Sequence, residues 1–148
     1  MLRTLCLLAL ATAGCSVVEP YQIEFDELQG SAFGADPCDC HLSQGALHLD
    51  CTSDGEVDGI LLRIPPTPQQ DLAIDLTVTT PDSPAGFTGT ATARIDTLGD
   101  PVPEEGTDSL QLRPVSGLHV EWPHQVASGL ELHSGKMLGG HGGCELDP

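Results

Sequence analysis

Four cysteines, Cys38, Cys40, Cys51 and Cys144, are the residues whose type and spacing best suit chemistry. With His41 they place thiols and an imidazole at spacings that a zinc site could use. The other interpretation is two disulfides, which form in oxidising compartments and are rare in the cytosol. The choice between zinc and disulfides therefore depends on where the chain resides.

The N-terminal segment indicates an exported protein. Arg3 is followed by an apolar run over residues 5–13 and by the small residues Gly14 and Ser16 around Cys15. This order of charged region, short apolar region and small-residue cleavage site is typical of an export signal. The run is about nine residues long, whereas a membrane-spanning helix needs about twenty. We therefore predict an oxidising compartment and two disulfides.

The residues that end this segment, Thr12-Ala13-Gly14-Cys15, resemble the lipobox of bacterial lipoproteins. In that family the cysteine carries fatty acids such as palmitate and becomes the new N-terminus, so the resemblance implies a membrane anchor at Cys15. Ser16 after the cysteine implies sorting to the outer membrane, on a face that the sequence leaves open. A single acyl chain binds a membrane only marginally, and the multiple acylation of this family meets that requirement.

An ordinary signal peptidase site is the alternative. Ala11-Thr12-Ala13 fits the A-x-A pattern, and cleavage there would release a soluble chain beginning at Gly14. Cysteine parity favours the lipoprotein: loss of Cys6 with the signal leaves five of the six cysteines, and acylation of Cys15 leaves four that can pair completely.

The predicted organisation is a signal peptide over residues 1–14, a short membrane tether over 15–20 and one domain over 21–148. The 148 residues less the signal are enough for one domain with a core and too few for two. The chain has 22 acidic and 5 basic residues, a formal net charge of −17. Such a surface repels nucleic acid and favours cations or basic protein partners.

Four cysteines allow three disulfide pairings, and the sequence does not choose among them. We favour Cys40–Cys51 across a short loop and Cys38–Cys144 between the two ends of the domain. The second pair would anchor the glycine-rich segment 139–143, which we expect to be flexible.

Alternation of apolar and polar residues with period two predicts β-strands that each bury one face. The apolar faces are Tyr21, Ile23 and Phe25; Leu47, Leu49 and Cys51; Ile60, Leu62 and Ile64; Leu72, Ile74, Leu76 and Val78; Phe87, Ala91, Ala93 and Ile95; Leu110 and Leu112; Leu118, Val120 and Trp122; Leu130 and Leu132. Glycine and proline predict turns at Asp54-Gly55, 65–68, 81–84, 100–103, Ser116-Gly117 and Pro123. About seven or eight short strands favour a disulfide-bonded antiparallel β-sandwich, with a barrel as the alternative.

Acidic residues around one predicted turn suggest calcium binding. Asp50, Asp54 and Asp58 fall at positions that an EF-hand loop uses, but Leu61 stands where that loop needs a bidentate glutamate. The dipeptide Asp54-Gly55 between two apolar runs instead favours a simple hairpin. A second acidic segment, with Asp100, Glu104, Glu105 and Asp108, could also hold calcium but is more simply a solvated loop.

Histidines offer further metal ligands, of which His141 is the most accessible candidate because it lies among glycines. The segment 119–124 contains two histidines and a glutamate but departs from the H-E-x-x-H zinc motif, and Pro123 would break the helix that the motif requires. We expect His119 and His133 to be ordinary exposed side chains.

The sequence contains no motif for a nucleophilic serine, a selected carboxylate pair or a phosphate loop. We therefore predict no catalytic residues and no cofactor. The favoured function is a non-catalytic, lipid-anchored envelope protein that is structural or binds a protein or polysaccharide partner. Two alternatives stay open: a calcium-binding lipoprotein, and a hydrolase without a recognisable motif.

Overall fold

The computed structural model of this chain describes residues 22–30, 37–52, 57, 59–103, 111–127 and 129–147. These ranges contain β-strands and no helix. The strands are β1 (Gln22–Glu24), β2 (Glu27–Gln29), β3 (Cys38–Ser43), β4 (Ala46–Thr52), β5 (Gly59–Ile64), β6 (Leu72–Thr80), β7 (Ser83–Leu98), β8 (Val102–Pro103), β9 (Gln111–Trp122), β10 (Gln125–Ala127), β11 (Leu130–Leu132) and β12 (Gly135–Leu146). Nowhere in these ranges is there a helix long and apolar enough to cross a membrane.

Eight strands close into a barrel in the order β12, β1, β3, β4, β5, β6, β7 and β9, after which β9 pairs again with β12. Most pairings are antiparallel, and β3 and β12 add a short parallel contact in which His41 pairs with Glu145. Strands β2 and β8 extend the sheet by pairing with β12 and β9, and β10 and β11 form a separate hairpin.

The predicted all-β class is confirmed, but the predicted sandwich is wrong, because one closed sheet replaces two packed sheets. Period-two alternation shows that each strand has one buried face, and strands of sandwiches and barrels share that property. The two architectures differ in whether the outermost strands meet. Here β12 joins them, since it pairs with β1, β3 and β9.

Apolar side chains fill the interior of the barrel, as expected for eight strands, whose lumen is just wide enough for side chains. The largest fully buried ones are Trp122, Ile23, Leu47, Leu49, Ile60, Leu62, Ile64, Leu76, Ile95, Leu118, Leu132 and Met137. Within the described ranges no polar or charged side chain is buried. The predicted apolar faces are confirmed for β4 to β7 and for β9, while Tyr21 and Leu110 lie outside the described residues.

The glycine-rich segment 139–143, which the composition predicts to be flexible, lies in the middle of β12 and is paired on both sides. A Cβ atom on Gly142, whose φ is +151°, would lie 2.0 Å from the carbonyl oxygen of Gln22. A Cβ atom on Gly140 would lie 2.7 Å from Cε1 of Phe25. The glycines therefore allow β1 to approach β12 closely, which is the usual meaning of glycine inside a strand.

The turn predicted at Ser116-Gly117 is also wrong, because β9 runs unbroken through it. Gly117 has a φ of +65°, and the register of β9 with β12 shifts between Gly140 and His141. These are features of a β-bulge, which bends a strand without ending it. The breaks predicted after β5, after β6 and at Pro123 are confirmed.

Both disulfides lie inside the barrel, where they join Cys38 to Cys51 and Cys40 to Cys144. All four cysteines are at most 1% exposed. The prediction of two disulfides rather than a zinc site is confirmed, but the favoured pairing is wrong.

Strand register explains the observed pairing of the cysteines. In the antiparallel ladder of β3 and β4, Cys40 stands opposite Leu49, so Cys38 stands opposite Cys51, with their Cα atoms 4.3 Å apart. In the parallel contact of β3 with β12, Cys144 stands beside Cys40, with their Cα atoms 4.7 Å apart. Disulfides require Cα atoms closer than about 7 Å, so the register selects these partners.

Candidate functional site

The residues predicted to bind calcium do not meet in the described structure. Asp50 is an exposed residue in the middle of β4, whereas EF-hand ligands come from a loop that wraps around the ion. Asp54 and Asp58 lie outside the described residues. The flanking strands β4 and β5 pair antiparallel, which confirms the predicted hairpin.

His141 lies on the outside of β12, and its side chain is 49% exposed. Its Nε2 atom lies 3.8 Å from the carboxylate of Glu24, the residue opposite it in β1. This pair offers one imidazole and one carboxylate, fewer than the three protein ligands typical of a zinc site.

A larger group of metal-ligating side chains lies on the β10–β11 hairpin. His124, Glu131 and His133 each offer a ligand atom, and these atoms all lie within 4.8 Å of one another. We call these residues the hairpin triad; in the part of the chain that the structure describes, no other three His, Cys, Asp or Glu side chains gather in this way. Nε2 of His124 lies 2.8 Å from Oε1 of Glu131, and the two imidazole centroids are 5.6 Å apart.

The register of the hairpin brings the triad together. Gln125 pairs with Leu132, so the preceding residue, His124, stands opposite His133. Glu131 lies two residues before His133 and therefore shares its face, because side chains alternate along a strand. The triad occupies the outer face of the hairpin, while Leu132 on the other face is 2% exposed.

The hairpin is fixed to the barrel by side chains at its base. The amide of Gln125 donates from Nε2 to the carbonyl oxygen of Thr90 at 3.1 Å and accepts from the Thr90 N–H at Oε1 at 2.8 Å. Nε1 of Trp122 donates to the carbonyl oxygen of His133 at 3.0 Å. A Cβ atom on Gly89 would lie 2.4 Å from Oε1 of Gln125, so this glycine makes room for the docked amide.

Glu131 carries a carboxylate whose charge is favoured by its neighbours. The hydrogen bond from His124 lowers the pKa of the Glu131 carboxyl below its ordinary value, and the charges of His133 and His124 lower it further. Glu131 is therefore ionised at neutral pH, as a metal ligand must be.

A cleft of about 510 Å³ opens beside the hairpin triad. Its lining includes the apolar residues Val57, Val78, Phe87, Leu130 and Leu132 and the ionisable residues Asp82, Glu131 and His133. Since Glu131 and His133 belong to both, the triad stands at the edge of the cleft.

His119 belongs to a separate ionic group on the outside of β7 and β9. Arg94 donates from Nε to Oδ1 of Asp96 at 2.9 Å, and Nε2 of His119 lies 3.2 Å from Oδ2 of the same carboxylate. The hydrogen bond from Arg94, followed by that from His119, lowers the pKa of Asp96. The expectation of an ordinary exposed histidine is therefore wrong for His119, which is half-buried and bonded across two strands.

Sequence reasoning missed the hairpin triad, although a signal for it exists. Strands β10 and β11 are three residues each, and residues 128–129 separate them. A two-residue connection containing glycine indicates a hairpin, and Gly129 has a φ of +81°. A hairpin at this place would have paired His124 with His133. Alternation indicates β11 through Leu130 and Leu132, but β10 carries too little alternation to be recognised as its partner.

Together these features define a small disulfide-bonded β-barrel with one attached hairpin, on which three side chains of metal-ligating types lie close together. No family model, curated protein or solved structure matches the chain.

Proposed function

We propose that this chain is a lipid-anchored protein of the bacterial cell envelope, attached through acylated Cys15, whose barrel is a non-catalytic structural or binding module. The main observation in support of this proposal is the pairing of the cysteines. Four of the six cysteines are used in the two disulfides, so Cys6 and Cys15 are left. Cys6 falls in the apolar run of the signal, and Cys15 falls at the lipobox position.

The buried disulfides also support export. A chain kept in a reducing cytosol would hold these four cysteines as thiols, because cytosolic disulfides are rare. Disulfides between buried cysteines can stabilise a domain that folds after export.

The interior of the barrel supports a non-catalytic module. General acid–base and nucleophilic catalysis need ionisable groups in a protected site. The lumen is instead filled with apolar side chains, and the described ionisable groups lie on the outside. The acidic surface, from a net charge of −17, favours a basic protein partner or a cation over nucleic acid.

A partner must lie near the membrane if the anchor is at Cys15. Strand β1 begins at Gln22, and the intervening residues span at most about 23 Å when fully extended. The proposed partner is thus a component of the envelope that reaches the same membrane surface.

Intact mass of the membrane-extracted full chain tests the proposal, with Cys15→Ser as the test variant and Cys6→Ser as the matched control. We expect the unaltered chain and the control to begin at Cys15 and to carry a lipid-sized addition that the test variant lacks. The unreduced chain should also resist thiol alkylation under denaturing conditions. A lipid-free chain beginning at Gly14 would contradict the proposal.

A further inference from the structure

We propose that the hairpin triad of His124, Glu131 and His133 is a binding site for a divalent transition-metal ion such as zinc. This inference is independent of the lipid anchor, since it depends only on side chains of the β10–β11 hairpin and on how that hairpin is attached.

The distances within the triad suit a single small ion. Ligand atoms that surround zinc tetrahedrally at about 2.1 Å lie roughly 3.4 Å from one another. The triad atoms are within 4.8 Å, so the longest separation must shorten by at most about 1.4 Å, while the 2.8 Å contact of His124 with Glu131 must open slightly. Rotations of exposed side chains provide such movements without moving the backbone.

The types of ligand select the class of metal. Two imidazoles and one carboxylate suit zinc, copper, nickel or iron, whereas calcium and magnesium require an oxygen-rich set. Calcium is therefore a negative control for this site. A tetrahedral ion held by three protein ligands keeps one position open, which a water molecule or a donor group of a molecule in the adjoining cleft can fill.

The hairpin is well suited to hold an ion because its backbone is already positioned. Gln125 fixes the start of β10 to Thr90, and Trp122 fixes the carbonyl group of His133. Ligand backbones that are held in place before binding lose less conformational freedom when the ion arrives. The negative charge of the chain also raises the local concentration of cations around the site.

Calorimetric titration of the full chain with zinc tests this inference. The protein is prepared without a polyhistidine tag, and free thiols are alkylated first so that Cys6 and Cys15 contribute no ligand. The test variants are His133→Ala and Glu131→Gln. The matched control is His141→Ala, because His141 is a similarly exposed histidine beside a glutamate but has no second imidazole.

We expect one zinc ion per chain and a rise in Tm on adding zinc, which calcium does not produce. Loss of even an outer partner of a metal ligand weakens binding about 10- to 100-fold, so His133→Ala should raise the Kd at least about tenfold. Glu131→Gln should also weaken binding, and His141→Ala should leave the Kd unchanged. The Tm of each variant without zinc separates loss of the site from loss of the fold. Absence of saturable binding, or equal weakening by His133→Ala and His141→Ala, would overturn the inference.

Discussion

Loss of the Cys40–Cys144 disulfide is expected to destabilise the barrel more than loss of Cys38–Cys51. The first joins residues 104 positions apart and the second joins residues 13 positions apart. A crosslink lowers the entropy of the unfolded chain by an amount that grows with the logarithm of the closed loop. The shorter crosslink is expected to contribute roughly 3 kcal/mol to the free energy of unfolding. Because the two separations differ eightfold, the longer crosslink should contribute about 1.8 kcal/mol more.

The measurement compares two double variants, Cys40→Ala with Cys144→Ala, and Cys38→Ala with Cys51→Ala. Each removes two fully buried sulfur atoms, so the packing losses are similar, and each leaves two barrel cysteines that can pair only with each other. Unfolding in urea can be followed by the fluorescence of Trp122, the one tryptophan of the chain, and extrapolated to water. An equal loss of free energy of unfolding in both variants, or a greater loss in the variant that lacks Cys38–Cys51, would refute the loop-length argument.

Two further predictions concern single residues in the barrel strands. Gly142→Ala should lower the free energy of unfolding by about 1–3 kcal/mol, because its φ of +151° disfavours a side chain and its Cβ would lie 2.0 Å from the carbonyl oxygen of Gln22. Thermal unfolding of Gly129→Ala, a positive-φ glycine with open space, is the control, and an equal loss there would contradict the steric argument. Asp96→Asn should lower the free energy of unfolding at pH 7. The hydrogen bonds led by the one from Arg94 lower the pKa of the Asp96 carboxyl below 3.8, so the stabilisation that they give is present above that pH. The difference in free energy of unfolding between the variant and the unaltered chain should therefore shrink as pH falls below 3.8. A difference that stays constant from pH 7 to pH 2 in denaturant titrations would contradict the assignment.

Local patterns predict the strands of this barrel where side chains alternate. Strands β4 to β7 each show one apolar face in the sequence, and each is a strand with that face buried. Barrel closure has no such signal, because it depends on β12. The glycines at 139–143 have no side chains that could alternate, and their role is set by the close approach of β1 from more than a hundred residues away.

The disulfide pairing and the hairpin triad could not be predicted from the sequence for a related reason. Cys38 and Cys40 share one face of β3, so alternation allows either to meet Cys51. Only the register with β4, and the parallel contact with β12, separates the two. His124 and His133 likewise become neighbours through the register of a very short hairpin, which single-strand patterns do not contain.

The multiple pairing of β12 has a consequence for how the chain folds. Until residues 135–146 are in place, the facing edges of β9 and β1 keep unpaired N–H and C=O groups. Exposed edges of this kind promote pairing between chains, and contacts between segments about a hundred residues apart form slowly. During folding, aggregation should therefore compete chiefly with the pairing of β12 to β9 and β1. Formation of Cys40–Cys144 would end that competition, because it holds β12 covalently beside β3.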